Sequence, residues 1–161
     1  MSHVVDDRDH ARAQALTEFA LIAPLLVLLL FSIIEGGRLI FYYQTLGNAT
    51  REGARYAIVH GMDAPSPCST SGPDRGGPSG PMPGTLVNPC DPDANNVKAA
   101  VRDAAFGIVG TADFDELLVE YPEANQRGDN VRVYVEYTYD PITPFMPSFV
   151  ISAESTLVIN N

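Results

Sequence analysis

The chain has 161 residues, a formal net charge of −10 and a pI near 4.5. Such an acidic surface repels phosphate, which sets aside nucleic acid as a partner and argues against tight docking on anionic lipid. The length suits one domain with an appendage, and two cysteines without a CxxC motif cannot complete a zinc site by themselves.

Residues 1–13 read as a short polar leader with three acids and two arginines, Arg8 and Arg12. Residues 14–36 read as a transmembrane helix. Ala15 to Ile34 is an apolar stretch spanning about 30 Å as a helix, which matches a bilayer core. The stretch is not a secretory signal. Its leader is not basic, and Glu35, Gly36, Gly37 and Arg38 follow it instead of a small-residue cleavage site. Two residues look out of place in it: Glu18 near its start and Pro24 inside it. Arginines lie on both sides (Arg38, Arg51 and Arg55 come after), so the positive-inside rule does not fix the orientation. The cysteines and the loop between them favour an extracytoplasmic C-terminal part.

Residues 37–60 continue the helix in amphipathic form, with Leu39, Tyr42, Leu46, Ala49, Gly53 and Ala57 recurring at three and four. Ala49, Gly53 and Ala57 make a ridge of small residues that lets another backbone come close. That backbone is either a neighbouring subunit or the chain's own sheet, and own-sheet packing is preferred for this half. Gly36-Gly37 is a weak point where the helix can bend. Residues 61–92 are a Pro/Gly-rich loop without periodicity, holding most of the 13 prolines. Cys68 and Cys90 flank this tract. Outside the cytoplasm a Cys68–Cys90 disulfide is the natural reading, with two unpaired loop thiols as the alternative.

Residues 93–161 hold a short helix and a sheet. Asp93 or Asn95 is expected to cap a helix over about 95–107, with Val97, Ala100, Val101, Ala104 and Ala105 on its inner side and Gly107 and Gly110 ending it. A short strand ELLVEY follows, with Glu116, Glu120 and Glu123 as a solvated edge. NVRVYVEYTY alternates, with Val131, Val133, Val135, Tyr137 and Tyr139 on one face. FVISAESTLVI alternates too, with Ile151, Ala153, Ser155, Leu157 and Ile159 inward. DPITPFMP, residues 140–147, is a rigid connection between the two. The predicted fold is α+β: a long N-terminal helix, transmembrane then amphipathic, on an antiparallel sheet of about three strands with a short extra helix.

Catalytic patterns do not emerge. The histidines are His3, His10 and His60, two of them in the leader, and one remaining histidine organises neither a triad nor a metal centre. No nucleophile elbow, P-loop or dinucleotide turn is present. DPDANN, from Asp91, opens like a calcium loop but has Asn96 where glycine is needed and Arg102 where a bidentate glutamate is needed, so helix capping explains it better. No catalytic residue, metal or cofactor is assigned.

The stretch AQALTEFALIAPLLVLLLFSIIEGGRLIFYYQTLGNATREGARYA, residues 13–57, resembles the TadE-like family of minor pilins, or pseudopilins, of tight-adherence (Flp-type) pilus systems. An ALxEFAL start, a proline six residues after the glutamate, a leucine-rich run, an acidic-then-GR exit and NATREGARYA occur in order. The strand pair near the C-terminus is similar more loosely. The resemblance implies a pilin-like fold and an inner-membrane protein with a cytoplasmic N-terminus. It implies cutting by a prepilin peptidase between Ala13 and Gln14, making Glu18 the fifth and Phe19 the sixth mature residue. Ala13 stands where the family pattern prefers glycine. The implied partners are the membrane, other minor pilins, the major pilin and an inner-membrane assembly platform with its ATPase.

Elementary electrostatics reaches Glu18 independently. A carboxylate near a bilayer edge costs a few kcal/mol and persists with a partner or a role. Cutting after Ala13 exposes an amine one helical turn away. Pairing with it, in the same chain or a neighbour, would set axial register as one buried polar residue does in a coiled coil. Pro24 removes the hydrogen bond to the Ala20 carbonyl and offers a kink or local melting when subunits pack. Two functions remain in view: a pilus assembly component, used in surface adhesion, and a single-pass anchored binding module that is neither processed nor polymerised.

Overall fold

A computed structural model describes residues 3–64, 77–84, 86, 88, 90–108, 114–143 and 146–160. Helix α1 runs without interruption from His3 to Val59, 57 residues or about 85 Å. It includes the polar leader, Pro24 and Gly36-Gly37. Helix α2 spans Asn95–Ala104. Strands β1 (Glu116–Glu120), β2 (Asn130–Tyr139) and β3 (Phe149–Val158) form one antiparallel sheet in the order β1-β2-β3. The predicted α+β architecture is the one observed.

The two halves of α1 have opposite environments. In the apolar run Leu21 is 79% exposed and Ile33 64%, so these side chains face away from the protein. Beyond it, Leu46, Ala49, Ala54 and Ala57 are fully buried. The pattern follows composition. The apolar run is apolar all round and suits a surrounding apolar medium. The second half alternates and buries one stripe against the sheet. Among the described residues α1 is the one helix long and apolar enough to cross a bilayer, and its apolar window is almost wholly unburied.

The sheet covers that stripe by strand alternation. Val131, Val133, Val135 and Tyr139 of β2 and Ile151 of β3 point into the core with Ile159, and α2 adds Val97 and Val101. The opposite face carries Arg132, which donates to Glu120 of β1 at 3.0 Å and to Glu154 of β3 at 2.8 Å. These partners draw Arg132 upward and Glu154 downward in pKa, the hydrogen bond between the two being the main cause. The group is exposed and contributes registry more than stability. Register is fixed from Asn130↔Val158 to Tyr139↔Phe149, and from Glu116↔Glu136 to Glu120↔Arg132.

The short helix differs from expectation at both ends. Its cap is Asp91, not Asp93 or Asn95. The Asp91 carboxylate accepts from the Asn95 and Asn96 amides at 2.7 and 2.8 Å, while Ala94 at the N-cap position has φ 54 and makes no side-chain cap. The chain turns sharply at Ala94, so a carboxylate three residues upstream reaches the helix end. The helix stops at Ala104, and Gly107 at φ 92 carries the left-handed turn beyond it.

Candidate assembly segment and its junction with the sheet

The proposed processing residues all lie on the outward half of α1. Ala13, Gln14, Glu18 and Phe19 are exposed. Gln14 Nε2 donates to Glu18 Oε1 at 3.2 Å, because residues four apart share a helix face. Thr17 Oγ1 donates to the carbonyls of Gln14 at 2.7 Å and Ala13 at 3.2 Å. The Ala13–Gln14 bond is therefore helical, with Glu18 one turn below it. Pro24 is exposed on the same helix, which continues through it.

The ridge of small residues lies inside the chain's own domain, the packing preferred for this half. Ala49 and Ala57 are fully buried and Gly53 is buried with them. A side chain at Gly53 would meet Val101 of α2 and Val133 of β2. The ridge is thus packed against the chain's own domain. The physical reason is that α2 and β2 bring β-branched valines against it, and only small residues leave room. Of the cysteines, Cys90 is disulfide-bonded, and Cys68 lies outside the described residues.

The structure adds a site at the junction between the two halves of α1. Glu35 ends the apolar run and is buried. Its carboxylate accepts from the Tyr139 hydroxyl at the end of β2, from Arg38 Nη1 at 3.0 Å and from the Ile142 amide at 3.2 Å. A buried carboxylate needs such donors to offset lost hydration. Arg38 also lies over the rings of Tyr42 (5.5 Å) and Tyr139 (5.3 Å), and Tyr42 meets Tyr139 edge-on at 5.2 Å. Burial, with the hydrogen bond to Glu35, pushes the Tyr139 phenol up to about 12. Arg38 is raised by its hydrogen bond to Tyr42, with Tyr139, Tyr42 and Glu35 adding electrostatic support against some burial. The whole group locks the sheet's lower end to the helix. The sequence signal was an acid closing an apolar run, but its partner is 104 residues away.

A second buried network ties the end of the Pro/Gly tract to the domain. Asp91 accepts the Ser79 hydroxyl besides its two helix amides. Asn88 Nδ2 donates to the carbonyls of Pro78, Gly80 and Asp91. The Ser79 carbonyl accepts from Tyr121 at 3.0 Å and Asn125 at 2.8 Å. Burial, with Asp91 nearby, raises the Tyr121 phenol. Gly80, at φ 103, passes so close to the Tyr121 ring that a Cβ would fall nearer than 3.0 Å. The three acceptor bonds to Asp91 explain DPDANN as a cap and a staple.

A cavity of 600 Å³ opens beside Glu35, between α1 and the β2–β3 connection. Its wall is mostly apolar, with Phe31 and Leu39 on one side and Ile142 and Met146 on the other.

No curated protein and no solved structure matches the chain. A family model does, and it covers the outward helix and the start of the buried one but not α2 or the sheet. Its description is TadE-like protein, so residues 13–55, from the Ala13–Gln14 bond through Glu18, Pro24 and Glu35 to Arg55, are a TadE-like segment.

Proposed function

We propose that this chain is a minor pilin or pseudopilin that takes part in assembling a tight-adherence (Flp-type) pilus used in surface adhesion. The observation carrying this reading is the TadE-like match over residues 13–55 on a helix whose apolar half faces outward and whose other half holds a folded head. One apolar surface then serves twice, against lipid before assembly and against other helices within it. In this reading the N-terminus is cytoplasmic, the head extracytoplasmic, and a prepilin peptidase cuts between Ala13 and Gln14. The partners are other minor pilins, the major pilin and the inner-membrane platform.

Glu18 has the role of register residue. Residue 14 already stands over its carboxylate through the Gln14 side chain. After cutting, the new α-amine of Gln14 is at the same level, within reach in its own chain or a neighbour's. The mature N-terminus is the direct test. Mass spectrometry of the membrane-derived protein is expected to find a chain beginning at Gln14. An intact Met1 end would refute processing and favour the second reading, a permanently anchored extracytoplasmic binding module. Two observations favour that alternative: Ala13 in place of the preferred glycine, and a helical backbone across the proposed cut.

A further inference from the structure

The β2–β3 connection descends beside the apolar run. Leu28 and Met146 line the same cavity. Leu28 lies six residues before Ile34, so it sits about 9 Å inside the end of the run along the helix axis. The connection therefore lies beside the end of the apolar run, where the Ile142 amide meets Glu35. Its side chains suit that position. Ile142 is 64% exposed and Met146 44%, and both lie beside the cavity rather than in the core.

Part of its described backbone suits that position as well. Irregular backbone is tolerated near hydrocarbon only when its polar groups have partners. Pro141 and Pro147 have no N–H to satisfy. The Ile142 amide donates to Glu35, and the Met146 amide donates to the Thr143 carbonyl at 3.4 Å. Glu35, held by Tyr139 and Arg38, pins the connection at this height. The acidic charge of the chain disfavours anionic headgroups, leaving acyl chains as the attractive part of a lipid.

We propose that the β2–β3 connection is a second membrane-contact element: Ile142 and Met146 enter the acyl region of the leaflet where α1 exits, and an acyl chain fills the groove against Leu28 and Phe31. The occupant is lipid because the groove is continuous with the outward apolar surface of α1. The proposal rests on the reading of α1 as a membrane span. It gives the head a fixed depth and rotation on the bilayer, set by the Glu35 contact.

The chain has no tryptophan, so a single introduced one reports alone. Full-length Ile142→Trp and Met146→Trp are reconstituted at high dilution into phosphatidylcholine vesicles, with and without brominated acyl chains. Phe31→Trp marks the run and Phe106→Trp, 88% exposed beyond α2, marks water. Both connection variants are expected to show blue-shifted emission and at least about twofold stronger quenching than Phe106→Trp, approaching Phe31→Trp. Quenched Phe31→Trp with unquenched Ile142→Trp and Met146→Trp overturns the proposal and leaves the anchor standing. Unquenched Phe31→Trp overturns both. Connection emission that is blue-shifted without quenching, and only at high protein-to-lipid ratio, identifies a second copy as the occupant and also overturns it.

Discussion

Gly53→Ala should destabilise the head although alanine is the better helix former. The new Cβ would lie nearer than 3.0 Å to Val101 Cγ2, with Val133 Cγ1 at 3.5 Å and Val101 Cβ at 3.7 Å. Val101 is fully buried and β-branched, so it has no free rotamer into which to withdraw. Overpacking of this kind costs about 1–3 kcal/mol, and the helix propensity of alanine offsets about 1 kcal/mol. The net expectation is a loss of about 1 kcal/mol. Gly47→Ala is the control on the same helix. Nothing lies within 4 Å of its Cβ, so it should stabilise by up to about 1 kcal/mol. Denaturant unfolding of the detergent-solubilised chain, followed by near-ultraviolet circular dichroism of its tyrosines, measures both. Adding Val101→Ala to Gly53→Ala should recover about 1 kcal/mol relative to the sum of the single changes. If Gly53→Ala matches or exceeds wild type, or if the two changes are additive, the ridge is not packed on α2 and this reasoning fails.

Asp91→Ala removes the acceptor for the Asn95 and Asn96 amides and the Ser79 hydroxyl, and should cost about 1–3 kcal/mol. Hydrogen exchange should show the loss first at the start of α2. Alkaline pH should weaken the junction. The Tyr139 phenol is raised from 10 to about 12 in the fold by burial and by Glu35, so its stabilisation is complete below pH 10 and disappears as pH rises through 12. Tyr139→Phe should remove that component, so the stability difference from wild type narrows across this window; an unchanged difference would count against the Tyr139–Glu35 contact. Glu18→Ala should insert into the membrane normally yet be absent from purified pilus fractions, and its normal incorporation would refute the register role.

Much of the architecture was legible locally. The apolar run, the three-and-four spacing after it and the alternation of Val131, Val133 and Val135 are one-dimensional patterns, and each specifies an element and its inward face. Burial of Leu46 and Val133 follows from those patterns alone. The ridge of Ala49, Gly53 and Ala57 was equally visible, but its two possible partners are identical in sequence terms. The position of α2 sets it against the chain's own domain. Asp91 shows the same limit at short range, since the turn at Ala94 exchanges which acid reaches the helix end.

By itself the sequence determined an apolar helix long enough to cross a bilayer with a glutamate near its start, a small sheet and the TadE-like order of motifs. Tertiary structure decided what meets what: Glu35 with Tyr139 and Ile142, the small ridge with Val101, and the β2–β3 connection with the exit of the apolar run. The reason is physical. Periodicity records whether a side chain faces water, lipid or protein, whereas pairing across 104 residues depends on how helix and sheet are set against each other.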